Sequence, residues 1–153
     1  MKIERLDHRA LETAEKMYAV FQRSYRKEAD LIGIEDFPPL RRTAEDLMAS
    51  GSQFFGVQQD SELAAVVEVT DHDAELDICS LVVDPAFFRR GYASRLLRFV
   101  LDTLIWQTAV VETAAVNDPA IALYRKVGFV EEKRWTPGHG IPKVLLRLRS
   151  KTV

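Results

Sequence analysis

Arg89-Arg90-Gly91 stands between a predicted strand and a predicted helix, and this placement suits the binding of an anion. Backbone N–H groups at a helix N-terminus have no partner within the helix, and the helix dipole adds partial positive charge there. The two arginines add further charge. Gly91 would let an anion approach the backbone closely, because it has no side chain. A solvated basic turn is the alternative interpretation of these residues.

Two regular elements must position this turn. The strand is predicted from Leu76 to Val83, because its side chains form a nearly continuous apolar run. Asp84-Pro85 ends it, since proline cannot donate to a strand ladder. The helix begins near Gly91 and carries apolar residues at the i, i+3, i+4, i+7 spacing of a stripe that faces a core. That stripe comprises Ala93, Leu96, Leu97, Val100, Leu101, Leu104 and Ile105.

The rest of the chain predicts a mixed sheet with helices on its faces, in the order β-α-α-β-β-β-α-β-α-β-β. Further strands are predicted at residues 2–6, 53–59, 62–70, 109–115, 129–135 and 143–149. Tight turns join three consecutive strands, which should form an antiparallel meander. The long helix then returns the chain to a parallel neighbour at 109–115. Asp7 is expected to cap the first helix and Asp118 the last, while Thr43 to Asp46 resembles a capping box.

Length and composition limit the class of protein. The chain has 153 residues, of which 47% are hydrophobic and 29% charged, so we expect one globular domain over residues 1–153. The net charge of −2 argues against general binding to nucleic acid. We expect a cytoplasmic protein without a membrane partner, because the start lacks a signal-peptide region and no apolar run reaches the length of a span.

Cysteine and histidine receive plain interpretations. Cys79 is the single cysteine, which excludes an internal disulfide framework and fits a reducing compartment. It is expected to be a small buried residue rather than a nucleophile. The three histidines are too scattered for metal-ligand spacing, so no metal is expected. They are His8, His72 and His139.

Two segments resemble the GNAT superfamily of N-acyltransferases. Leu81-Val82-Val83-Asp84-Pro85, followed by Arg89-Arg90-Gly91-Tyr92-Ala93, resembles its acyl-CoA signature, commonly written Gln/Arg-x-x-Gly-x-Gly/Ala. Asn117 to Phe129 resembles its asparagine, Ala-x-x-Leu-Tyr and Gly-Phe segment. Phe88 departs from the signature, which usually has Gln or Arg there. The resemblance extends from Gln53 to Arg149 and implies an α/β (α+β) fold with a mixed, mostly antiparallel sheet of about seven strands and helices on both faces.

The resemblance implies a reaction and a binding site. The chain would transfer an acetyl group from acetyl-CoA to a primary amine, on a small molecule or a protein N-terminus, by direct attack on the thioester. The pyrophosphate of acetyl-CoA would bind the basic turn, and the pantetheine arm would run along the strand end, where the N–H of Val83 would stabilise the oxyanion. The implied binding residues are Leu81, Val82, Val83, Arg89, Arg90, Gly91, Tyr92, Ala93, Ser94 and Asn117. For Asn117, capping of the following helix is the alternative.

Tyr124 and Glu112 are the implied catalytic residues. A phenol with a pKa near 10 can protonate a thiolate whose acid has a pKa of about 8.5, so Tyr124 would act as the acid. Glu112 lies in an apolar strand, where burial would raise its pKa and suit it to act as the base. Glu68 is a second candidate for the base, and a chain of water molecules is a third. A core tyrosine and an outward-facing glutamate are the alternatives for Tyr124 and Glu112.

The acceptor would bind near the first two helices. Glu28, Asp30, Glu35 and Asp36 would suit a cationic amine, and Phe37 offers an apolar wall. A solvated acidic loop is the alternative. A non-catalytic module of the same fold, which binds acyl-CoA or a partner protein, is the other function that we consider, and a homodimer is allowed.

Overall fold

A seven-stranded sheet with helices on both faces forms the computed structural model, which describes residues 2–151. The strands are β1 Lys2–Arg5, β2 Gln53–Gln59, β3 Glu62–His72, β4 Glu75–Val83, β5 Thr108–Ala114, β6 Val130–Trp135 and β7 Lys143–Arg149. The helices are α1 Leu11–Ile32, α2 Ala44–Ala49, α3 Tyr92–Thr103 and α4 Asp118–Val127, with short 3-10 helices at Pro38–Arg41 and Pro85–Phe87. The predicted fold class and order of elements are confirmed.

The strands follow the order β1-β2-β3-β4-β5-β7-β6 across the sheet. Within the described chain, β4 and β5 form the parallel pair, and the other neighbours are antiparallel. The parallel pairing begins at Glu75 opposite Thr108 and ends at Ile78 opposite Val111. Beyond that point β4 continues to Val83 and β5 to Ala114 without pairing to each other, so the sheet opens between them.

Each face of the sheet has its own core, because successive strand residues point to opposite sides. On one side Phe54 and Val66 pack with Met17 and Val20 of α1. On the other side a larger cluster joins the sheet to α3 and α4. Its members include Phe55, Val67, Leu96, Leu97, Val100, Ile121 and Tyr124. Burial of each large aliphatic side chain contributes about 1.5–3 kcal/mol, so these two clusters hold α1, α3 and α4 against the opened sheet.

The helix ends agree with some of the predicted signals and correct others. Thr43 and Asp46 form the expected capping box at the start of α2. Gly33 ends α1 in the left-handed conformation, with φ of 74°, as its residue type predicts. The N-cap of α1 is Ala10, so the capping role predicted for Asp7 is wrong. The N-cap of α4 is Asn117 rather than Asp118, because the Asn117 side chain accepts a hydrogen bond from the N–H of Ala120.

The C-terminal end of α3 differs from the prediction. The helix stops at Thr103, and Leu104 is already extended. Ile105, the last residue of the predicted stripe, is 92% exposed. Trp106 donates its indole N–H to the carbonyl of Leu101, which turns the chain off the helix axis toward β5. The helical spacing therefore continues in the sequence beyond the helix itself. Within residues 2–151, no helix has both the length and the apolar composition of a membrane span.

Candidate active site

The cleft lies where β4 and β5 part. It has a volume of about 880 Å³ and is continuous from the basic turn to the C-terminal part of α1. The lining comes from the ends of β4 and β5, the start of α3, α4, α1 with the following Pro38–Arg41 segment, and the β6–β7 connection. Both predicted catalytic residues line this cleft, as do eight of the predicted binding residues. Those eight are Leu81, Val83, Arg89, Gly91, Tyr92, Ala93, Ser94 and Asn117.

The basic turn presents unpaired backbone donors to the cleft. Gly91 is the N-cap of α3 in the left-handed conformation, with φ of 77°. The first hydrogen bond of the helix runs from the N–H of Arg95 to the carbonyl of Gly91, at 3.1 Å. The three N–H groups before Arg95, on Tyr92, Ala93 and Ser94, therefore have no intrahelical acceptor. A Cβ built on Gly91 would meet nothing within 4 Å, so the space in front of these donors is open.

The side chains of the turn separate into two groups. Arg89 lines the cleft and has a left-handed backbone, with φ of 65°. The guanidinium of Arg90 lies 5.1 Å from the centroid of the Phe87 ring, and Arg90 does not itself line the cleft. Its role in binding stays a prediction. Tyr92 is buried and donates its hydroxyl to Gln59 at 3.1 Å, so its side chain anchors α3 to β2. Only its backbone is available to a ligand.

The end of β4 offers a free backbone edge. The N–H of Asp84 donates to the carbonyl of Ala64 at 2.8 Å, on the side of β3. N–H groups alternate in direction along a strand, so the N–H groups of Leu81 and Val83 point away from β3, toward the opening. The Val82 side chain packs in the α1 core, and its N–H faces β3. Val82 thus supports the edge from behind, and its predicted role in binding stays a prediction.

Tyr124 is held rigidly at the wall of the cleft. It is 5% exposed, and its ring meets that of Phe129 edge-on, with centroids 5.6 Å apart. Burial raises the pKa of Tyr124 well above its ordinary value of 10.0, and the nearby Tyr25 and Glu28 raise it further. The phenol therefore carries its proton at neutral pH, as a proton donor must.

Asn117 joins α4 to α1. Its Oδ1 accepts from the N–H of Ala120 at 3.3 Å, and its Nδ2 donates to Oε1 of Glu28 at 2.5 Å. The capping alternative considered for Asn117 is confirmed. Both ends of its amide are engaged within the protein, which leaves one N–H for any ligand.

Glu112 is exposed, which agrees with the alternative of an outward-facing glutamate rather than with a buried one. Its side chain is 47% exposed and forms an ion pair with Lys143 of β7 at 3.3 Å. It follows Val111, the last residue of β5 that pairs with β4. Since β4 no longer covers β5 at that point, Glu112 reaches the cleft and its solvent. Its role as the base remains a prediction.

Glu68 is buried and fully engaged with partners on three elements. Arg42 donates to both of its carboxylate oxygens, at 2.6 and 2.9 Å, and Ser52 donates at 2.7 Å. Burial alone would raise the pKa of Glu68, but these hydrogen bonds and the charge of Arg42 hold it below its ordinary value. Such a carboxylate is a poor proton acceptor, so the alternative of Glu68 as the base is not supported by its environment.

A chain of hydrogen bonds connects Glu68 to the cleft. Ser80 of β4 donates to Glu68 at 3.0 Å and accepts from the hydroxyl of Tyr25 at 3.1 Å. The register shifts beside Ser80, where Ile78 pairs with Val69 and Ser80 with Glu68, so Cys79 is the extra residue of a β-bulge. Cys79 is consequently exposed at the cleft, and its predicted burial is wrong.

Glu28 is the cleft residue whose environment the sequence did not predict. The sequence places Glu28 among the acidic residues of the predicted acceptor region. Glu28 lines the cleft, whereas Asp30 and Glu35 do not. Burial raises the pKa of its carboxyl, although the hydrogen bond from Asn117 and the charge of Lys143 oppose the rise. The three-residue spacing from Tyr25 on α1 puts both side chains on one helix face, and this spacing was the available signal.

One polar and one aromatic residue border the predicted acceptor end of the cleft. His139 lines the cleft on the β6–β7 connection, and its Nδ1 accepts from the N–H of Ile141 at 3.1 Å. Phe37 also lines the cleft, as the expected apolar wall, and its ring lies edge-on to that of Tyr25. Asp36 instead pairs with Arg41 on the surface. Over residues 2–151, we find no group of three or more His, Cys, Asp or Glu side chains arranged to hold a metal ion.

Comparison with known proteins gives a consistent family. The model of the acetyltransferase (GNAT) family matches residues 14–129. The chain is 32% identical over 113 residues to the N-alpha-acetyltransferase RimI of Mycobacterium tuberculosis, with 71% of each chain covered. It is 34% identical over 140 residues to the UPF0157 protein YqkA of Bacillus subtilis. That match covers 91% of this chain but only 41% of the length of YqkA.

Solved structures share the fold at lower identity. The ribosomal-protein-S18-alanine N-acetyltransferase of Escherichia coli superposes with a TM-score of 0.76 at 21% identity, covering 99% of this chain and 97% of that one. The PaiA N-acetyltransferase of Thermoplasma acidophilum, solved in complex with coenzyme A, gives 0.77 at 18% identity, covering 98% and 100%. At these identities the likeness concerns the fold.

Proposed function

Because the chain belongs to the acetyltransferase (GNAT) family, we propose that it transfers an acetyl group from acetyl-CoA to a primary amine. The observation that carries the proposal is the single cleft at the parting of β4 and β5. It brings together the unpaired donors of the Gly91 turn, the free edge at Val83 and the buried phenol of Tyr124. An anion site, a strand edge and a proton donor in this order match the chemistry of an acyl-CoA.

The residues of the turn fit the phosphate groups of acetyl-CoA. The backbone donors of Tyr92, Ala93 and Ser94 face open space, and Gly91 has no side chain to fill it. Arg89 adds positive charge from the same wall of the cleft. Phe88 is 45% exposed and also lines the cleft, so an apolar contact replaces the polar side chain usual at that position. Binding would therefore depend on backbone groups, supported by one arginine.

The proposed reaction divides the work among a few groups of the chain. Acetyl-CoA supplies the acetyl thioester that the amine attacks, with a thiolate as leaving group. The N–H of Val83, directed away from β3, stabilises the negative charge that develops on the carbonyl oxygen. The hydroxyl of Tyr124 gives its proton to the departing sulfur, and a proton from the new amide nitrogen restores it. A base or a chain of water molecules must first remove a proton from the acceptor, since an amine with a pKa of about 10.4 is mostly protonated at neutral pH.

The name of one relative and the residues that line the cleft suggest the chemical class of the acceptor. The name of the RimI relative concerns α-amino groups, and the acceptor end of this cleft contains Glu28, Glu112 and His139. We therefore propose a cationic primary amine, with peptide N-termini and small polyamines as the first compounds to compare.

Titration calorimetry with acetyl-CoA, followed by an amine panel with free thiol as the readout, tests the proposal. We expect saturable binding of acetyl-CoA and thiol release that depends on the amine. Mass spectrometry of the product must show a gain of one acetyl group on the amine. Binding without turnover across peptide N-termini, amino acids, polyamines and aminoglycosides would support a non-catalytic acyl-CoA-binding module instead.

A further inference from the structure

Glu28 lines the cleft close to Asn117 and Tyr124. It lies in the last part of α1 and shares the cleft wall with Tyr124. The two side chains are near enough for the charge of Glu28 to add to the rise that burial causes in the pKa of the Tyr124 phenol. Resting on the function proposed above, we propose that the Glu28 carboxylate takes the proton from the acceptor ammonium before acetyl transfer.

The two carboxylate oxygens of Glu28 have different surroundings. Oε1 accepts the hydrogen bond from Nδ2 of Asn117 at 2.5 Å. Among residues 2–151, Oε2 has no hydrogen-bond partner, so it is available to an ammonium group in the cleft. The side-chain amide of Asn117 cannot flip, because its Oδ1 accepts the capping hydrogen bond from the N–H of Ala120 in α4. The free oxygen is therefore oriented by the same residue that begins the helix carrying Tyr124.

Charged and titratable groups from several elements face Glu28. Lys143 of β7 favours the ionised carboxylate, while the phenols of Tyr25 on the same helix and of Tyr124 on α4 lie near it. Glu112 lies beyond Lys143, which it neutralises at 3.3 Å. The partly desolvated carboxylate has a raised pKa, and a stronger base accepts a proton from an ammonium more readily. Glu112 is far more exposed and already has a cationic partner.

The proton balance uses both ends of the cleft. Oε2 of Glu28 accepts one proton from the ammonium and passes it to solvent. The nitrogen lone pair that this frees forms the C–N bond as the C–S bond breaks. Tyr124 delivers its proton to sulfur, and the second proton lost by nitrogen returns to Tyr124. The products are an amide, a thiol and one proton in solution.

The variant Glu28→Gln tests this role, since glutamine keeps an oxygen that can accept from Asn117. We expect kcat to fall about 100-fold or more. The acid limb of the pH profile of kcat/KM should disappear, while the Kd for acetyl-CoA and the thermal midpoint stay within error. Glu15→Gln is the matched control, because it removes the same charge from an exposed site about 20 Å away along α1. It should behave as the wild type.

Each contrary result has a distinct meaning. If Glu28→Gln keeps the wild-type kcat and acid limb, the proposed base is wrong and acetyl transfer stands. If only the KM for the amine rises, Glu28 binds the ammonium without accepting its proton, and the proposal fails. If Glu112→Gln rather than Glu28→Gln removes the acid limb, Glu112 is the base. If the wild type acetylates no amine in the panel, the proposed function and this role are both overturned.

Discussion

Replacing Glu68 by glutamine should destabilise the fold, because it leaves the Arg42 guanidinium without its carboxylate partner. The Glu68 side chain is 5% exposed and that of Arg42 is 29% exposed. The guanidinium also lies 5.8 and 5.9 Å from the ring centroids of Phe21 and Phe54, which hold it in place. Removing one partner of a fully buried pair costs about 3–5 kcal/mol. Since Arg42 still reaches water, we expect a loss of about 2–3 kcal/mol.

Urea denaturation and thermal melting measure this loss. For a chain of this length each kcal/mol lowers the thermal midpoint by about 2–4 °C, so Glu68→Gln should melt about 4–12 °C below the wild type. The hydrogen bonds to Glu68 hold its pKa below its ordinary value of 4.5. Its contribution to stability is therefore complete above pH 4.5 and is lost as the pH falls through the lower, folded-state pKa. The difference between variant and wild type should be constant from pH 6 to 8 and shrink in acid.

A matched surface pair provides the control. Asp36 pairs with Arg41 at 2.5 Å on the segment that leads to Arg42, and both side chains are mostly exposed. Asp36→Asn should leave the urea midpoint unchanged, because solvent screens an exposed pair. An unchanged midpoint for Glu68→Gln at pH 7, or a loss that is equally large at pH 3, would refute the reasoning about the buried pair.

Three further substitutions separate the parts of the cleft. Tyr124→Phe should lower kcat about 100-fold to 10,000-fold while the calorimetric Kd for acetyl-CoA is unchanged, because only the proton donor is lost; a wild-type kcat would contradict this. Gly91→Val should weaken acetyl-CoA binding at least 10-fold, since a β-branched residue is strained at φ of 77° and would fill the open space before the backbone donors; an equal Kd would exclude this turn from the phosphate site. Asn117→Ala should cost about 1 kcal/mol through the lost cap, measured by urea denaturation, and should lower kcat by releasing Glu28; a full kcat would show that Glu28 needs no positioning.

Most of the fold could be predicted from local signals. Gly33 and Gly128 end helices with positive φ, and the box at Thr43 begins one, because each depends only on neighbouring residues. The end of α3 could not be predicted in the same way. Leu104 continues the helical spacing, but the chain leaves the helix there, with the Trp106 indole N–H bonded to the carbonyl of Leu101, and Ile105 stays exposed. Periodicity alone does not distinguish a stripe from an apolar residue just past a helix.

The parts of the site that are formed by backbone groups and by residues close together in the sequence could be predicted. The turn at Gly91 and the helix of Tyr124 lie in the cleft as their segments predicted, while their roles in binding and catalysis stay predictions. The contact between Glu28 and Asn117 spans 89 positions of sequence, and the pair of Arg42 with Glu68 spans 26. Neither contact produces a local sequence pattern, since each depends on how α1 and the loop after it pack against the opened sheet.

The exposure of Cys79, which was predicted to be buried, and that of Glu112 both occur where β4 parts from β5. Cys79 directly follows Ile78, and Glu112 directly follows Val111, the last residues that pair across the two strands. An apolar run predicts burial where the neighbouring strand continues alongside. Here β4 and β5 separate after Ile78 and Val111. The bulge at Cys79 turns β4 away at this point, and the Glu68 network fixes the bulge through Ser80. Loss of the Glu68 carboxylate should therefore disturb the cleft as well as the core. We expect the Glu68→Gln variant to bind acetyl-CoA more weakly than the wild type.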